Sequence, residues 1–211
     1  MSAALLTLVD SRLPAGGHAH SGAVEQTITA GVIRDPVSLA AFLTRRLRTA
    51  GAVAAGLAAA ACGADAATLS LLDGEADART PSPALRAASR QQGRGLVRVG
   101  RRAWPSPTWD DLPPLPHHPI ALGVAAAAAG LGPRDAAQAA AYLSISGPAT
   151  AAQRLLAMDP LTVAALTARM APDIDAVAEG SHNGPLSAAT DPLLDLLAEV
   201  HAARKDRFFA S

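Results

Sequence analysis

The sequence predicts an all-α protein, a single-domain multi-helix bundle over residues 1–211 with a Pro-rich central loop at 104–119. Three observations carry this. Half of the residues (50%) are apolar, yet aromatics make up only 3%, and alanine dominates. Such a core is packed from small side chains with high helix propensity, which let helix axes approach closely. Strand signals are nearly absent, since no run of four or more residues alternates Val, Ile, Thr or aromatics. Helix starts, in contrast, are explicit. Asp35-Pro36, Asp159-Pro160 and Asp191-Pro192 each set an N-cap carboxylate before a proline at the first helical position, where the missing N–H is not needed and the fixed φ suits the helix. Ser82-Pro83 and Gly132-Pro133 add two more.

Along the chain, residues 3–9 are apolar and residues 24–30 read as a helix. Pro14, Gly16 and Gly17 force a sharp connection between them; Ser21 caps the second helix and Glu25 sits one turn inside, favoured by the helix dipole. Residues 37–49 form a helix with Leu39, Phe42, Leu43 and Leu47 on one face. Arg46 falls on that face and reads as a snorkelling side chain at its edge. Cys62, the lone cysteine, reads as a small buried hydrophobe in an alanine run. Between residues 86 and 102 six arginines gather, and Arg86, Arg90, Arg94, Arg98 and Arg101 share one helical face; Gly93, Gly95 and Gly100 allow close backbone approach. That face is either a solvated stripe or a docking surface for an acidic partner or a phosphate. Residues 104–119, with six prolines, read as a non-helical loop, and residues 180–191 as a second loop. In the last helix Leu193, Leu197 and Val200 stack on one side, with Leu194 and His201 beside them. Residues 204–211 form a tail in which Phe208 and Phe209 either fold back onto the core or become ordered on a partner.

Length and charge bound the function. A chain of 211 residues can bury a core of its own; neither half looks self-sufficient and no fixed repeat is present. Formal net charge is zero, which speaks against nucleic acid or an acidic membrane surface, both of which draw on a basic excess. The apolar stretches at 52–62 and 120–132 are too short and glycine-rich to span a bilayer. No basic segment followed by a long apolar one opens the sequence, so a cytoplasmic location is expected.

Chemistry-bearing motifs are sparse. No P-loop, dinucleotide fingerprint, nucleophile elbow or HExxH zinc motif occurs, so no catalytic residue is expected and the chain is not read as an enzyme. His18-x-His20 on the Gly-rich connection offers two imidazoles, with Asp10 or Glu25 as an oxygen ligand, which makes His18 and His20 the metal candidates. His117-His118, in the Pro-rich loop, is a weaker pair.

Five blocks in order carry a resemblance. Asp10, Ser11, Pro14, Gly16, Ser21 and Glu25 match an Asp-Ser-x-x-Pro-x-Gly opening with its later Ser and Glu. Arg86, Ser89 and Gly93 match Arg-x-x-Ser-x-x-x-Gly; His118, Pro119 and Gly123 match His-Pro with a following Gly. Ala151-Ala152-Gln153-Arg154-Leu155 is similar to Ala-Ala-Val-Arg-Leu, and Arg207-Phe208-Phe209-Ala210-Ser211 to Arg-Leu-Phe-x-Ser. Together they resemble the UreF family, helical accessory proteins of urease maturation. The departures are Ala23 for Gly, Val24 for Leu or Ile, His18 at a commonly aromatic position, and Met158-Asp159-Pro160 for Leu-Gly-Gln.

The resemblance implies an all-helical homodimer that bridges UreD (UreH in some systems) and the GTPase UreG. The complex would deliver Ni²⁺ into the carbamylated-lysine site of apo-urease, with no cofactor held firmly by this chain. It makes Asp10, Ser11, Pro14, Gly16, Ser21, Glu25, Arg86, Ser89, Gly93, Arg154, Arg207, Phe208, Phe209 and Ser211 candidate partner-binding residues. Two other roles are open. One is a nickel metallochaperone using His18 and His20. The other is an activator of the GTPase through Arg94 or Arg98, in the manner of an arginine finger.

Overall fold

The computed structural model describes residues 2–15, 23–204 and 208. Among these the regular structure is helical and no strand occurs, as the alanine content and the Asp-Pro starts predict. The helices are α1 (Ala3–Leu8), α2 (Val24–Thr29), α3 (Pro36–Arg46), α4 (Ala52–Ala61), α5 (Ala66–Ala78), α6 (Pro83–Ala103), α7 (His118–Ala128), α8 (Pro133–Leu155), α9 (Pro160–Arg169), α10 (Ala171–His182) and α11 (Pro192–Ala203). No described helix is long and apolar enough to cross a membrane.

The carboxylates and hydroxyl that precede a proline act as caps with one exception, whereas α2 starts after Ala23 without a side-chain cap and Ser21, read as its cap, lies outside the described residues. Asp35 accepts the Ser38 N–H at 2.8 Å and Asp159 the Thr162 N–H at 2.9 Å, while Ser82 accepts that of Leu85 at 3.2 Å. Asp65 does the same for Thr68, a start that no proline marks. Asp191 precedes α11, but its carboxylate makes no cap. It is recruited by Arg45 of α3, whose Nη2 donates to both carboxylate oxygens at 2.6 and 2.7 Å, because a hydrogen bond between two charged groups is stronger than one to a neutral backbone N–H.

At the centre α4, α7 and α8 pack on one another, with α10 against α4 and α8 and α6 against α7. Their facing residues are largely alanine: Ala55, Ala58, Ala61, Ala121, Ala125, Ala137 and Ala141 are fully buried. Gly123 of α7 lies where a Cβ would strike the Ala58 carbonyl and sit 2.7 Å from the Ala61 methyl, so the two backbones touch.

Between α3 and α4 the helix runs through a π turn, Leu47–Gly51, which packs against α8. This junction corrects the reading of Arg46. Proline at 148, inside α8, supplies no N–H to the carbonyl four residues back, that of Ser144. Arg46 Nε donates to that carbonyl at 2.8 Å. The guanidinium therefore turns inward instead of snorkelling, and burial pushes its pKa down to about 10.

Other boundaries shift by small steps. The Pro-rich segment contains a 3-10 turn, Pro107–Asp111, on which Trp109 is buried with its indole N–H on the Trp104 carbonyl at 2.9 Å. The second loop starts after His182, not at 180. On α11 the buried face is Leu194, Leu197, Ala198 and His201, whereas Leu193 and Val200 are exposed. Leucines at both 193–194 and 196–197 leave the face ambiguous by one position, and the pairing of His201 with Glu25 sets the rotation. Cys62 is half-buried at the end of α4, its thiol donating to the Leu131 carbonyl at 3.5 Å.

Candidate partner-docking cavity

The N-terminal connection after α1 is built on Asp10. Its carboxylate accepts the Arg12 N–H at 2.8 Å and the Arg12 guanidinium at 2.7 and 3.1 Å, and these bonds hold its pKa down at about 2. The chain then passes Pro14, which is exposed, to Ala15, whose carbonyl seats on Gly95 of α6 where a Cβ would collide. Gly16, His18, His20 and Ser21 lie outside the described residues.

Glu25 resumes the description on α2. It is only 4% exposed and Oε2 lies 3.0 Å from Nε2 of the fully buried His201 on α11. Its two oxygens also accept the Phe208 N–H at 2.9 and 3.1 Å. Arg204 donates to Gln26 and Thr29 at 3.0 Å. The tail is thus tied to α2 through its backbone, while the Phe208 ring stays 86% exposed. Arg207, Phe209 and Ser211 lie outside the described residues. Glu25 stands in the first turn of α2, as the sequence reading placed it, and is in addition a buried acceptor.

Arg86, Ser89 and Gly93 stand at i, i+3 and i+7 on α6 and seat neighbouring loops. Arg86 donates to the carbonyls of Thr80 and Pro81 at 2.7 and 3.0 Å. Gly93 faces the Pro116 carbonyl in a contact that a Cβ would forbid. Ser89 Oγ accepts the His118 N–H at 3.1 Å and lies 3.0 Å from His117 Nδ1. His117 is 1% exposed, with Nε2 2.8 Å from Asp77. A carboxylate only accepts, so Nε2 carries a proton toward Asp77. Asp73 takes the His117 backbone N–H at 2.8 Å, and Arg90 bridges Asp73 and Asp77 at 2.9 and 2.6 Å. Burial would raise the Asp77 carboxyl's pKa, but hydrogen bonds from His117 and Arg90 outweigh it and leave it lowered.

Sequence reasoning missed Asp73, Asp77 and His117 as one network. The available signal was a pair of aspartates at i, i+4 on α5 together with a histidine before a His-Pro helix start.

A cavity of about 710 Å³ lies beneath the N-terminal connection. Asp10, Ser11, Ser89, His118 and Arg154 all border it, and they come from four of the five resembling blocks. Arg154 is exposed at the end of α8. Arg46, Tyr142 and Asp195 contribute further polar groups. Burial, together with the charges of Asp191 and Glu199, raises the Asp195 carboxyl's pKa. Pro14, Glu25, Arg86, Gly93 and Phe208 are not among its walls. No group of three or more His, Cys, Asp or Glu side chains among the described residues could hold a metal ion.

The sequence model of the UreF family matches residues 33–171, more than half of the chain. The chain belongs to the UreF family. Similar relatives are the urease accessory protein UreF of Mycobacterium sp. (strain JLS), 51% identical over 207 residues (98% of this chain, 97% of the relative), and that of Mycolicibacterium vanbaalenii, 51% identical over 211 residues (99% and 98%). The UreF of Mycobacterium tuberculosis (strain H37Rv) is 46% identical over 209 residues (99% and 98%). The matched segment runs from just before α3 to the start of α10, so it holds Arg86, Ser89, Gly93, His118 and Arg154; the opening block and the tail fall within the longer alignments to the relatives.

Proposed function

We propose that this UreF-family chain is a non-catalytic adaptor of urease maturation. It bridges UreD/UreH and the GTPase UreG so that Ni²⁺ reaches apo-urease, working in the cytoplasm as a homodimer within one 211-residue domain. Nickel is the cargo of the assembly and not a resident cofactor of this chain. The observation that carries the reading is convergence. Blocks separated by up to 144 positions, from Asp10 to Arg154, border one cavity, while the tail is tethered to α2 through Glu25, Gln26 and Thr29.

The architecture suits a surface that works by shape. An alanine core with backbone-to-backbone contacts is rigid, so partner groups meet a preformed cavity and little ordering entropy is lost on docking. Arg154 offers an exposed guanidinium at the rim. Phe208 offers a ring whose burial in a partner stabilises a complex by about 2–3 kcal/mol. Its backbone anchor on Glu25 limits the entropy that such burial would cost.

The test is size-exclusion chromatography with light scattering on the chain alone, and mixed with cognate UreD/UreH and UreG. A stoichiometric ternary assembly that weakens when residues 204–211 are removed supports the adaptor. A chain that ignores both partners, with nickel and GTP present, overturns it.

A further inference from the structure

The arginine-rich face of α6 divides into two sets. Arg86 and Arg90 are held by Thr80, Pro81, Asp73 and Asp77, and Arg101 by Asp110 at 2.7 Å and the Trp109 carbonyl at 2.9 Å. Arg94, Arg98 and Arg102 are exposed and make no hydrogen bond or ion pair among the described residues. They stand at i, i+4 and i+8, so they form a row of free guanidiniums about 6 Å apart along about 12 Å of helix.

Beside this row runs a groove of about 320 Å³, bordered by Arg94, Arg98 and the Arg101–Asp110 pair and walled by Val97, Trp109, Leu112, Pro113, Pro114 and Pro116. Its wall is preformed, because the prolines fix the loop's φ angles and Trp109, Pro116 and His117 anchor it in the core. On the facing loop, Asp110 is already paired with Arg101, which leaves the exposed Asp111 as the other carboxylate.

We propose that this ridge and groove bind an acidic protein segment in extended conformation. Alternate residues of a strand lie about 6.6–6.8 Å apart, close to the guanidinium repeat. Carboxylates on one side of such a segment pair with Arg94, Arg98 and Arg102, and an apolar side chain from its other side enters the proline-walled groove. Clustered arginines beside an apolar slot are a general mode of acidic-motif recognition. A protein segment fits better than nucleic acid: the free row is short, the chain's formal net charge is zero, and the adjacent slot joins a proline and aliphatic wall to the paired Arg101 and Asp110. The ridge is separate from the cavity of the proposed function, and the inference stands whether or not that function holds.

The probe is a fluorescein-labelled ten-residue peptide with Glu at alternate positions and one central Leu, read by polarisation at low and physiological salt. Controls are the same peptide with Gln for Glu, a ten-nucleotide single strand, and phosphatidylserine vesicles. The expected result is binding of the acidic peptide that weakens with salt. It should fall about ten-fold or more in Arg94→Glu/Arg98→Glu and several-fold when the central Leu is Ser.

Both substituted side chains are exposed and unpartnered, so an unchanged thermal midpoint shows the variant folded. Pairing Arg94→Glu/Arg98→Glu with a Lys-for-Glu peptide should restore binding. Equal affinity for the Gln peptide, indifference to the charge reversal, or tighter binding of the oligonucleotide or vesicles through the same arginines overturns the proposal.

Discussion

Arg46, Ser144 and Pro148 make a quantitative prediction. Pro148 leaves the Ser144 carbonyl without its helical donor, and Arg46 Nε fills the place at 2.8 Å. Arg46→Leu has two opposing effects. It removes a desolvated guanidinium whose pKa burial lowers to about 10, which stabilises the fold, and it orphans a part-buried carbonyl, which costs about 1–2 kcal/mol. The net sign of the single substitution therefore decides little.

Pro148→Ala restores an N–H within reach of the Ser144 carbonyl. In that background Arg46→Leu no longer orphans anything. The cycle Arg46→Leu, Pro148→Ala and the double variant should give a coupling energy of about 1 kcal/mol or more, with the loss from Arg46→Leu smaller in the alanine background. At this chain length such a difference moves the thermal midpoint by about 2–4 °C. Urea unfolding followed by circular dichroism at constant m-value measures it. Additivity within about 0.3–0.5 kcal/mol would refute the link between the proline and the arginine.

Glycine substitutions should split by sign. Gly93→Ala drives a Cβ into the Pro116 carbonyl and lowers the midpoint, whereas Gly74→Ala on α5, with nothing within 4 Å, raises stability by about 0.5–1 kcal/mol; calorimetry compares them. Glu25→Ala strands the buried His201 and releases the Phe208 N–H, and should cost about 3 kcal/mol. It should also speed tryptic cleavage after Arg204, read by mass spectrometry. On acidification, carboxylates whose folded pKa is lowered contribute stability that is complete above about pH 4–5 and lost as pH falls through the folded value. Hydrogen bonds from the Ser82 hydroxyl and the Ala84 N–H lower that of Glu199, and bonds from Ser38, Thr68 and Thr162 lower those of Asp35, Asp65 and Asp159. Thermal midpoints should therefore drop between about pH 5 and pH 2. Glu199→Gln should flatten that slope, and an unchanged slope would remove the Ser82–Glu199 link from acid stability.

What was legible in the sequence was local. A proline after Asp or Ser marks a helix start because cap and ring act within one turn, and α3, α6 and α9 begin there. The apolar stripe Leu39, Phe42, Leu43 and Leu47 is buried as its period requires. Apart from the local shifts at Pro107–Asp111 and His182, the misreadings involve partners distant in sequence. Asp191 left its cap for Arg45, 146 residues away, and Arg46 turned inward for a carbonyl freed by a proline 102 positions downstream. His201 rotated α11 toward Glu25, 176 residues away. The position of the cavity was likewise closed to sequence reading, because it depends on where α6, α7 and α8 bring Ser89, His118 and Arg154 relative to Asp10.

The arginine row shows why composition alone could not separate structural from available charge. Every arginine from Arg86 to Arg101 satisfies the same spacing, yet Arg86, Arg90 and Arg101 meet carbonyls and carboxylates of neighbouring segments, while Arg94 and Arg98 face solvent, as does Arg102. An alanine core supplies little side-chain interdigitation, so specificity of packing falls to glycine contacts and to part-buried charge networks such as Asp73, Asp77, Arg90 and His117. Those networks and the adjoining loops take up Arg86, Arg90 and Arg101. What is left free, Arg94, Arg98 and Arg102, is then a surface that folding does not require. Removing these three side chains should leave stability within about 0.5 kcal/mol of the parent, as for other unpartnered surface positions. A larger loss in urea unfolding would mean that they serve the fold and not a partner.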